Sequence, residues 1–363
     1  TMTLGGRVRS QSLDQTSAPV GLPGGRTLRP HVAASVWQVS PFAQSDLRLT
    51  ESVSLLLGVS LDVHERYGFD ANPRATLTWW PAKWLRLSAT GGRGFRAPDL
   101  GQLFNVDVNA GGLYALLGNR DLTPETDLAF QLEAGVQLPG VDAFVSAFRH
   151  DFDDLIGFSR VVPCTPGRPR PGCIVDPLPG LPGSLRFQTR NFAAAVTQGV
   201  EVGVEVSLPR VLHLETTTDL RLGLGYAFLD SENRNGIPGE DGKDLPFRPH
   251  HRFLPSLTWR HPGVGTTIKV WGEYESDAFT DSANSPEFLA RDHWLWNFKV
   301  TLSPLRWLPD PAPGALATAL GLGRHVEFFV QGENVFDQEY GTVTAGGKLA
   351  GPAAFLSGVS FRF

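Results

Sequence analysis

Hydrophobicity in this chain alternates with a period of two, over stretches long enough to override every other local signal. From Val53 to Val63 each odd position is Val or Leu, while Ser54, Leu56, Gly58, Ser60 and Asp62 lie between them. The pattern returns at Leu128, Phe130, Leu132, Ala134, Val136 and Leu138, against Gln131, Glu133, Gly135 and Gln137. It returns again at Val200, Val202, Val204, Val206 and Leu208, and from Leu220 to Phe228 on even positions. Successive side chains of a β-strand point to opposite faces, so this spacing gives each strand one apolar and one polar face. Composition agrees: 40 Gly, 28 Pro, 23 Phe and 9 Trp against one Met describe a turn-rich, aromatic chain and disfavour a helical bundle.

Alternation alone does not separate a soluble sandwich from a barrel. Length and side-chain type favour the barrel. Several strands alternate for ten residues or more, which is about what a tilted strand needs to cross a bilayer, whereas soluble strands average about five or six. The polar faces carry small and charged residues, as the wet interior of a large barrel would. Trp79, Trp80 and Trp84 flank the turn at Pro81-Ala82-Lys83, Trp259 precedes His261-Pro262-Gly263, and Trp307 follows a strand ending near Ser303. Tryptophans beside short turns fit a membrane-interface girdle. The other reading is that each indole plugs a core near a sheet edge.

Strands are expected near 2–12, 30–49, 53–65, 73–80, 84–94, 127–138, 141–158, 195–208, 211–230, 251–261, 265–277, 293–303, 324–336 and 354–363. That makes an all-β, antiparallel transmembrane β-barrel region in one domain spanning 1–363, with about fourteen strands. Tight turns alternate with long connections, the asymmetry of outer-membrane barrels with periplasmic turns and extracellular loops. The long segment 304–323 breaks the rule, and Ala315 to Leu322 reads as a short helix within it.

Other function classes find little support. A net charge of −5 offers no field for nucleic acid. No apolar run approaches the ~20 residues of a spanning helix, and the first residues lack a signal-peptide core. Gly236 to Lys243 is one residue too long for a phosphate loop, and Asp244 stands where a Ser or Thr should be. No hydrolase elbow or zinc helix is present, so neither an enzyme nor a resident metal or cofactor is expected. The acidic groups Asp151, Asp153, Asp154, Asp230, Glu232, Glu240, Asp241 and Asp244 suit a solvated rim facing lipopolysaccharide better than a calcium loop, since Arg234 falls where an oxygen ligand should be. Cys164 and Cys173 bracket a Pro/Gly-rich loop segment, where a disulfide or two free thiols would both fit; an oxidising compartment favours the disulfide.

Five segments, in order, carry a family resemblance. Gly94-Phe95-Arg96-Ala97-Pro98 followed by Leu103-Phe104 resembles the "G-F-R-A-P-x-x-x-x-L-F" segment of TonB-dependent outer-membrane receptors. Asn119 to Glu125 is similar to that family's "N-P-x-L-K-P-E", with Arg120 in place of Pro. Asn191 with Gln198-Gly199-Val200-Glu201, Leu245 to His250, and Asn334 to Tyr340 resemble its later motifs. The terminal alternation through Phe361 and Phe363 resembles the signal read by the barrel assembly machinery.

The resemblance implies the Gram-negative outer membrane, lipid and lipopolysaccharide as surroundings, and active uptake of a scarce, bulky small-molecule ligand such as a siderophore–metal chelate or a cobalamin. It implies part of a twenty-two-stranded barrel. Nothing here resembles the family's plug domain or its TonB-contacting segment, so the expectation is the C-terminal part of a receptor, engaging TonB only if a plug is supplied elsewhere. The alternative is a passive, porin-like channel in which fourteen strands close alone. If ligand enters at the barrel mouth, Arg96, Asp99, Tyr114, Arg168 and Arg170 are the candidate contacts, with a purely structural role for Arg96 and Asp99 as the competing reading.

Overall fold

The computed structural model describes residues 1–16, 20–22, 26–29, 31–108, 114–161, 163–164, 174, 185–303, 326–338, 343–344, 347–348 and 352–361. Fourteen long strands form one antiparallel sheet. They are β1 (Met2–Thr16), β2 (His31–Arg48), β3 (Val53–His64), β4 (Gly68–Ala82), β5 (Leu85–Arg96), β6 (Glu125–Leu138) and β7 (Val141–Val161). The meander continues through β8 (Leu185–Ser207), β9 (Asp219–Asn233), β10 (His251–His261), β11 (Thr266–Glu275), β12 (His293–Leu302), β13 (Val326–Glu333) and β14 (Ala354–Phe361). Each strand pairs with the next in sequence, which is the topology short hairpin turns impose. Among the described residues β1 and β14 do not pair with each other, so no closed barrel is seen.

Register sorts the side chains as the alternation requires. Leu132 lies opposite Ala89 and Ala147, and Ala147 opposite Val200, so one row of the sheet is apolar across four strands. The neighbouring positions, Glu133, Ser88, Ser146 and Glu201, form a polar row on the other face. That polar face is cross-linked. Gln131 Nε2 donates to Ser146 Oγ at 2.9 Å, Arg221 pairs with Glu205 at 2.8 Å, and Arg86 pairs with Glu133.

Among the described residues no second layer covers the apolar face. Phe130 is 51% exposed and Leu132 64% exposed, in the middle of a strand ten residues or more from end to end. A soluble sandwich would bury these rows; a wall facing lipid leaves them bare. The buried apolar residues gather instead beside the long connections, where Leu103, Leu122 and Ile156 pack with Phe104 against them.

Several expected strand bounds need correction, among them β9, which begins at Asp219 and not near 211 because a short helix, Leu208–Val211, and a turn precede it. β4 begins at Gly68, not near 73, because Pro73 sits within the ladder opposite Val59 and does not start the strand. The connection between β3 and β4 is therefore a tight turn at 65–67, on the side that otherwise carries long loops. β8 begins at Leu185, ten residues before the expected 195, because its pairing with β7 continues in one register to Val161 opposite Arg186. The segment 304–323, with its expected helix and Trp307, lies outside the described residues.

Trp79 lies on the apolar face with Leu77, Leu87 and Leu132, whereas Trp80 and Trp84 line a groove of about 540 Å³ on the polar face with Arg86 and Glu205. Trp259 lies on the apolar face at the short-turn end of β10, opposite Ile268. A second aromatic row was not foreseen. Tyr226, Phe253, Tyr274 and Trp294 contact one another across β9 to β12 near the loop side, with centroids 4.7, 5.9 and 5.1 Å apart. Trp79 and Trp259 thus stand at the short-turn end of the apolar face and this row near its loop end, while Trp80 and Trp84 turn away from that face. Phe361 pairs with Val326 in the last strand, and Phe363 lies outside the described residues.

A cation on the apolar face should be costly and one on the polar face should not. Leu132→Arg should lower unfolding stability in lipid vesicles by roughly 2–4 kcal/mol, while Gln131→Lys should shift it by less than about 1 kcal/mol. Urea titration followed by tryptophan fluorescence checks both.

Candidate functional site

The motif residues, scattered from 94 to 191 in sequence, meet at the loop-side rim of β5 to β8. Gly94 to Arg96 end β5, and Asp99 opens the short helix α1 (Leu100–Phe104). A five-residue helix has almost no intrinsic stability, so its ends must be held from outside. Asp99 Oδ1 accepts from Gln102 N at 2.7 Å and Gln102 Oε1 accepts from Asp99 N at 3.1 Å, a reciprocal capping box. Leu100 and Leu103 are buried beneath it.

Arg96 and Glu125 fasten the two ends of the 97–124 connection. Their fork is bidentate, Nε to Oε2 and Nη2 to Oε1, each at 2.5 Å. Glu125 is buried, and its Oε1 also accepts from the Ile156 backbone N–H on β7. Hydrogen bonding to Glu125, opposed in part by burial, holds the Arg96 guanidinium above its ordinary range. Asn191 on β8 supplies the third fastening. Its Nδ2 donates to the carbonyls of Thr123 and Asp154 at 2.9 and 2.7 Å, and its Oδ1 accepts from Thr123 N at 3.0 Å.

Two residues that the motif reading did not single out complete the clamp. Tyr67 Oη, from the β3–β4 turn, donates to the Leu122 carbonyl at 3.0 Å, and Arg66 donates to the Arg120 carbonyl. Arg120 in turn lies over the Phe104 ring at 5.2 Å. Both arginines are exposed, Arg66 beside Tyr67 and Arg120 over Phe104. The signal for them was a turn too short to read as a loop. Gly118 is required by close approach, since a Cβ there would meet Phe104 N at 2.6 Å.

Among the expected ligand contacts, Arg96 and Asp99 are thus engaged in holding the loop. Tyr114 begins a short strand, Tyr114–Leu117, parallel to Leu185–Gln188 of β8. Arg168, Arg170 and Cys173 lie outside the described residues. Cys164 is disulfide-bonded, and its N–H donates to the Ile174 carbonyl at 2.8 Å, which draws the two sides of that loop together.

A second clamp joins the next loops. Asp244 N donates to Asn284 Oδ1 and Asn284 Nδ2 returns to Asp244 O, at 2.8 and 3.1 Å. His250 lies between the Asp244 carboxylate, at 3.1 Å, and the Leu229 carbonyl, at 2.8 Å. Burial opposes its charge, but those two acceptors outweigh it and raise the imidazole. Neither clamp presents the nucleophile–base geometry of an active site, and among the described residues no group of three or more His, Cys, Asp or Glu could hold a metal.

A family model described as TonB dependent receptor-like, beta-barrel, matches residues 2–322. The chain belongs to the TonB-dependent receptor β-barrel family. An iron-regulated outer membrane virulence protein of Vibrio cholerae is 28% identical over 64% of this chain and 32% of its own length. The ferric enterobactin receptor of Pseudomonas aeruginosa is 25% identical over 78% of this chain and 39% of its own. This TonB-dependent barrel chain therefore spans about a third of the length of the curated relatives it matches.

Solved structures agree on the fold. A crystal structure of that Pseudomonas receptor in complex with BCV-L6 superimposes at a TM-score of 0.59, with 19% identity over 93% of this chain and 46% of that one. The copper transporter OprC gives 0.64, with 15% identity over the whole of this chain and 56% of that one. The TonB-dependent barrel wall sits in the outer membrane, and its family is one of receptors and transporters.

If Glu125 is the hub of the first clamp, its loss should free the loop without unfolding the sheet. Glu125→Ala should cost about 2 kcal/mol locally, the scale of charge-assisted hydrogen bonds between a buried carboxylate and a half-exposed guanidinium. Limited proteolysis should then cut within 105–119 while heat-modifiable migration is unchanged.

Proposed function

We propose that this chain is the C-terminal barrel wall of an outer-membrane receptor that takes up a ferric siderophore by TonB-driven transport. The observation that carries the reading is the clamped mouth. Loops built only to cover a pore end need no buried carboxylate tying two strands and a helix together; loops that must present side chains to a ligand do. The named relatives, an iron-regulated outer-membrane protein and a ferric enterobactin receptor, support iron as the cargo.

Ferric siderophore complexes of the catecholate type are anionic, and the mouth offers cations to meet them. Arg66 and Arg120 are both exposed on the first clamp, where Arg66 donates to the Arg120 carbonyl. We assign Arg168 and Arg170, with Tyr114 as a stacking surface, to the same loop side on sequence grounds, and the Cys164–Cys173 disulfide to stiffening that loop. A plug domain and TonB belong to this reading as partners supplied beyond the residues described, and the assembly machinery as the reader of the terminal strand.

The passive channel is the weaker reading, because the fourteen strands leave β1 and β14 unpaired among the described residues. Binding of a ferric catecholate to the receptor in detergent, followed by fluorescence quenching, tests the proposal. Arg168→Ala with Arg170→Ala should weaken it roughly tenfold, the loss of charge-assisted contacts. Unchanged affinity, or ohmic conductance by the chain alone in planar bilayers, would contradict it.

A further inference from the structure

One histidine on the loop side has more oxygen around it than a neutral ring can serve. His250, the residue before β10, is 36% exposed, with Nδ1 2.8 Å from the Leu229 carbonyl and Nε2 3.1 Å from the Asp244 carboxylate. A carbonyl and an ionised carboxylate only accept, so each needs an N–H from the ring. A neutral imidazole has one N–H, and in either tautomer it turns a lone pair toward the other oxygen. The imidazolium has two and satisfies both. Burial works against that charge, while the Leu229 carbonyl, Asp244 of the same loop and Asp230 of β9 favour it. Both charges bearing on the ring are therefore negative. Phe228 of β9 lies nearly parallel to the ring at 6.5 Å, the 276–292 loop reaches Asp244 through the uncharged Asn284, and His251 turns instead to the Tyr226 hydroxyl at 3.0 Å.

Asp244 is also where two loops join. Its N–H and carbonyl are both bonded to the Asn284 side chain, which ties the 234–250 connection to the 276–292 connection. Phe247 N donates to the Phe279 carbonyl at 2.8 Å and adds a backbone bond between the same loops. Leu229 N donates to the His250 carbonyl at 2.9 Å and Leu245 N to Ser231 Oγ at 3.1 Å, so the first loop rests on β9. Between these fastenings Phe247 holds a φ of 59°, in the left-handed region that an aromatic residue rarely enters. Such a backbone persists only while its surroundings determine it, and the segment from Asp244 to His250 relaxes once a fastening is lost.

We propose that His250 is a proton-operated latch: as imidazolium it fastens the 234–250 and 276–292 loops to β9 through Leu229 and Asp244, and as neutral imidazole it gives up one of those contacts and loosens both loops. The fold holds this imidazole above its ordinary range, so the latch is complete below about pH 6.5 and is lost as pH rises through the folded value. Because the ring is partly exposed, water takes over the released acceptor, and the outcome is more frequent loop opening and not unfolding of the sheet. The inference concerns these loops alone and stands or falls apart from the uptake reading.

Amide hydrogen exchange read by mass spectrometry on the full chain in detergent micelles, from about pH 5 to about pH 9 and corrected for intrinsic rates, tests the latch. Peptides covering 229–250 and 279–288 should exchange several-fold faster at the alkaline end, while the paired strands β6 and β7 keep their protection throughout. His250→Gln cannot serve both acceptors and should exchange near the parent's alkaline rate at every pH. Asp244→Asn removes one of the two negative charges and should move the transition to lower pH; it decides the matter if His250→Gln fails to migrate heat-modifiably. Protection in the parent that is constant or grows with pH, an unaltered transition in folded His250→Gln, or an unmoved one in Asp244→Asn would overturn the assignment.

Discussion

In hydrocarbon no water is available to a peptide group, and each unpaired N–H or C=O costs several kcal/mol. The sheet answers that constraint strand by strand, through a meander in which every long strand finds its neighbour in sequence. Prolines show how little slack remains. Beside Pro41 and Pro255 the ladder to one neighbour is interrupted, between Val39 and Phe42 on β2 and between Phe253 and Ser256 on β10, and it resumes in the same register. The outer edges of β1 and β14 stay unpaired among the described residues.

The loops inherit their order from the ladder. β5 and β6 end in register, with Arg96 opposite Glu125, so the two side chains that close the 97–124 connection meet because the strands beneath them are paired. The Ile156 N–H and Asn191 reach the same point from β7 and β8, which exceed their neighbours in length. The cost of ordering a long connection is thereby borne by a few buried polar contacts and one small apolar cluster. Through this rim the membrane fold fixes what is shown to the medium.

Strand number, order and facing were legible because period-two hydrophobicity is a local code that a lipid-exposed wall enforces at every position. The side-chain rows of Leu128–Leu138 and Val200–Val206 fall as their sequences dictate, while Leu208 opens a short helix after β8. Strand ends were less legible, since above the bilayer the code relaxes; the upper reach of β8, with Arg186, Thr189 and Asn191, carries no lipid-facing alternation. The roles of Arg96 and Asp99 were ambiguous for another reason. An arginine and an aspartate near a barrel mouth look alike whether they hold a ligand or a loop, and only the position of Glu125 and the Gln102 N–H separates the two. The upper aromatic row went unseen because its members, Tyr226, Phe253, Tyr274 and Trp294, come from four strands and meet only in register.

The central claim is that one face of this sheet meets lipid and the other meets water, alternating residue by residue. Nitroxide scanning along Leu128 to Leu138 in reconstituted vesicles, comparing accessibility to oxygen and to a water-soluble nickel chelate, tests it most directly. The account predicts oxygen maxima at Leu128, Phe130, Leu132, Ala134, Val136 and Leu138, with chelate maxima at the positions between. A flat profile, or one with a period near 3.6, would contradict it.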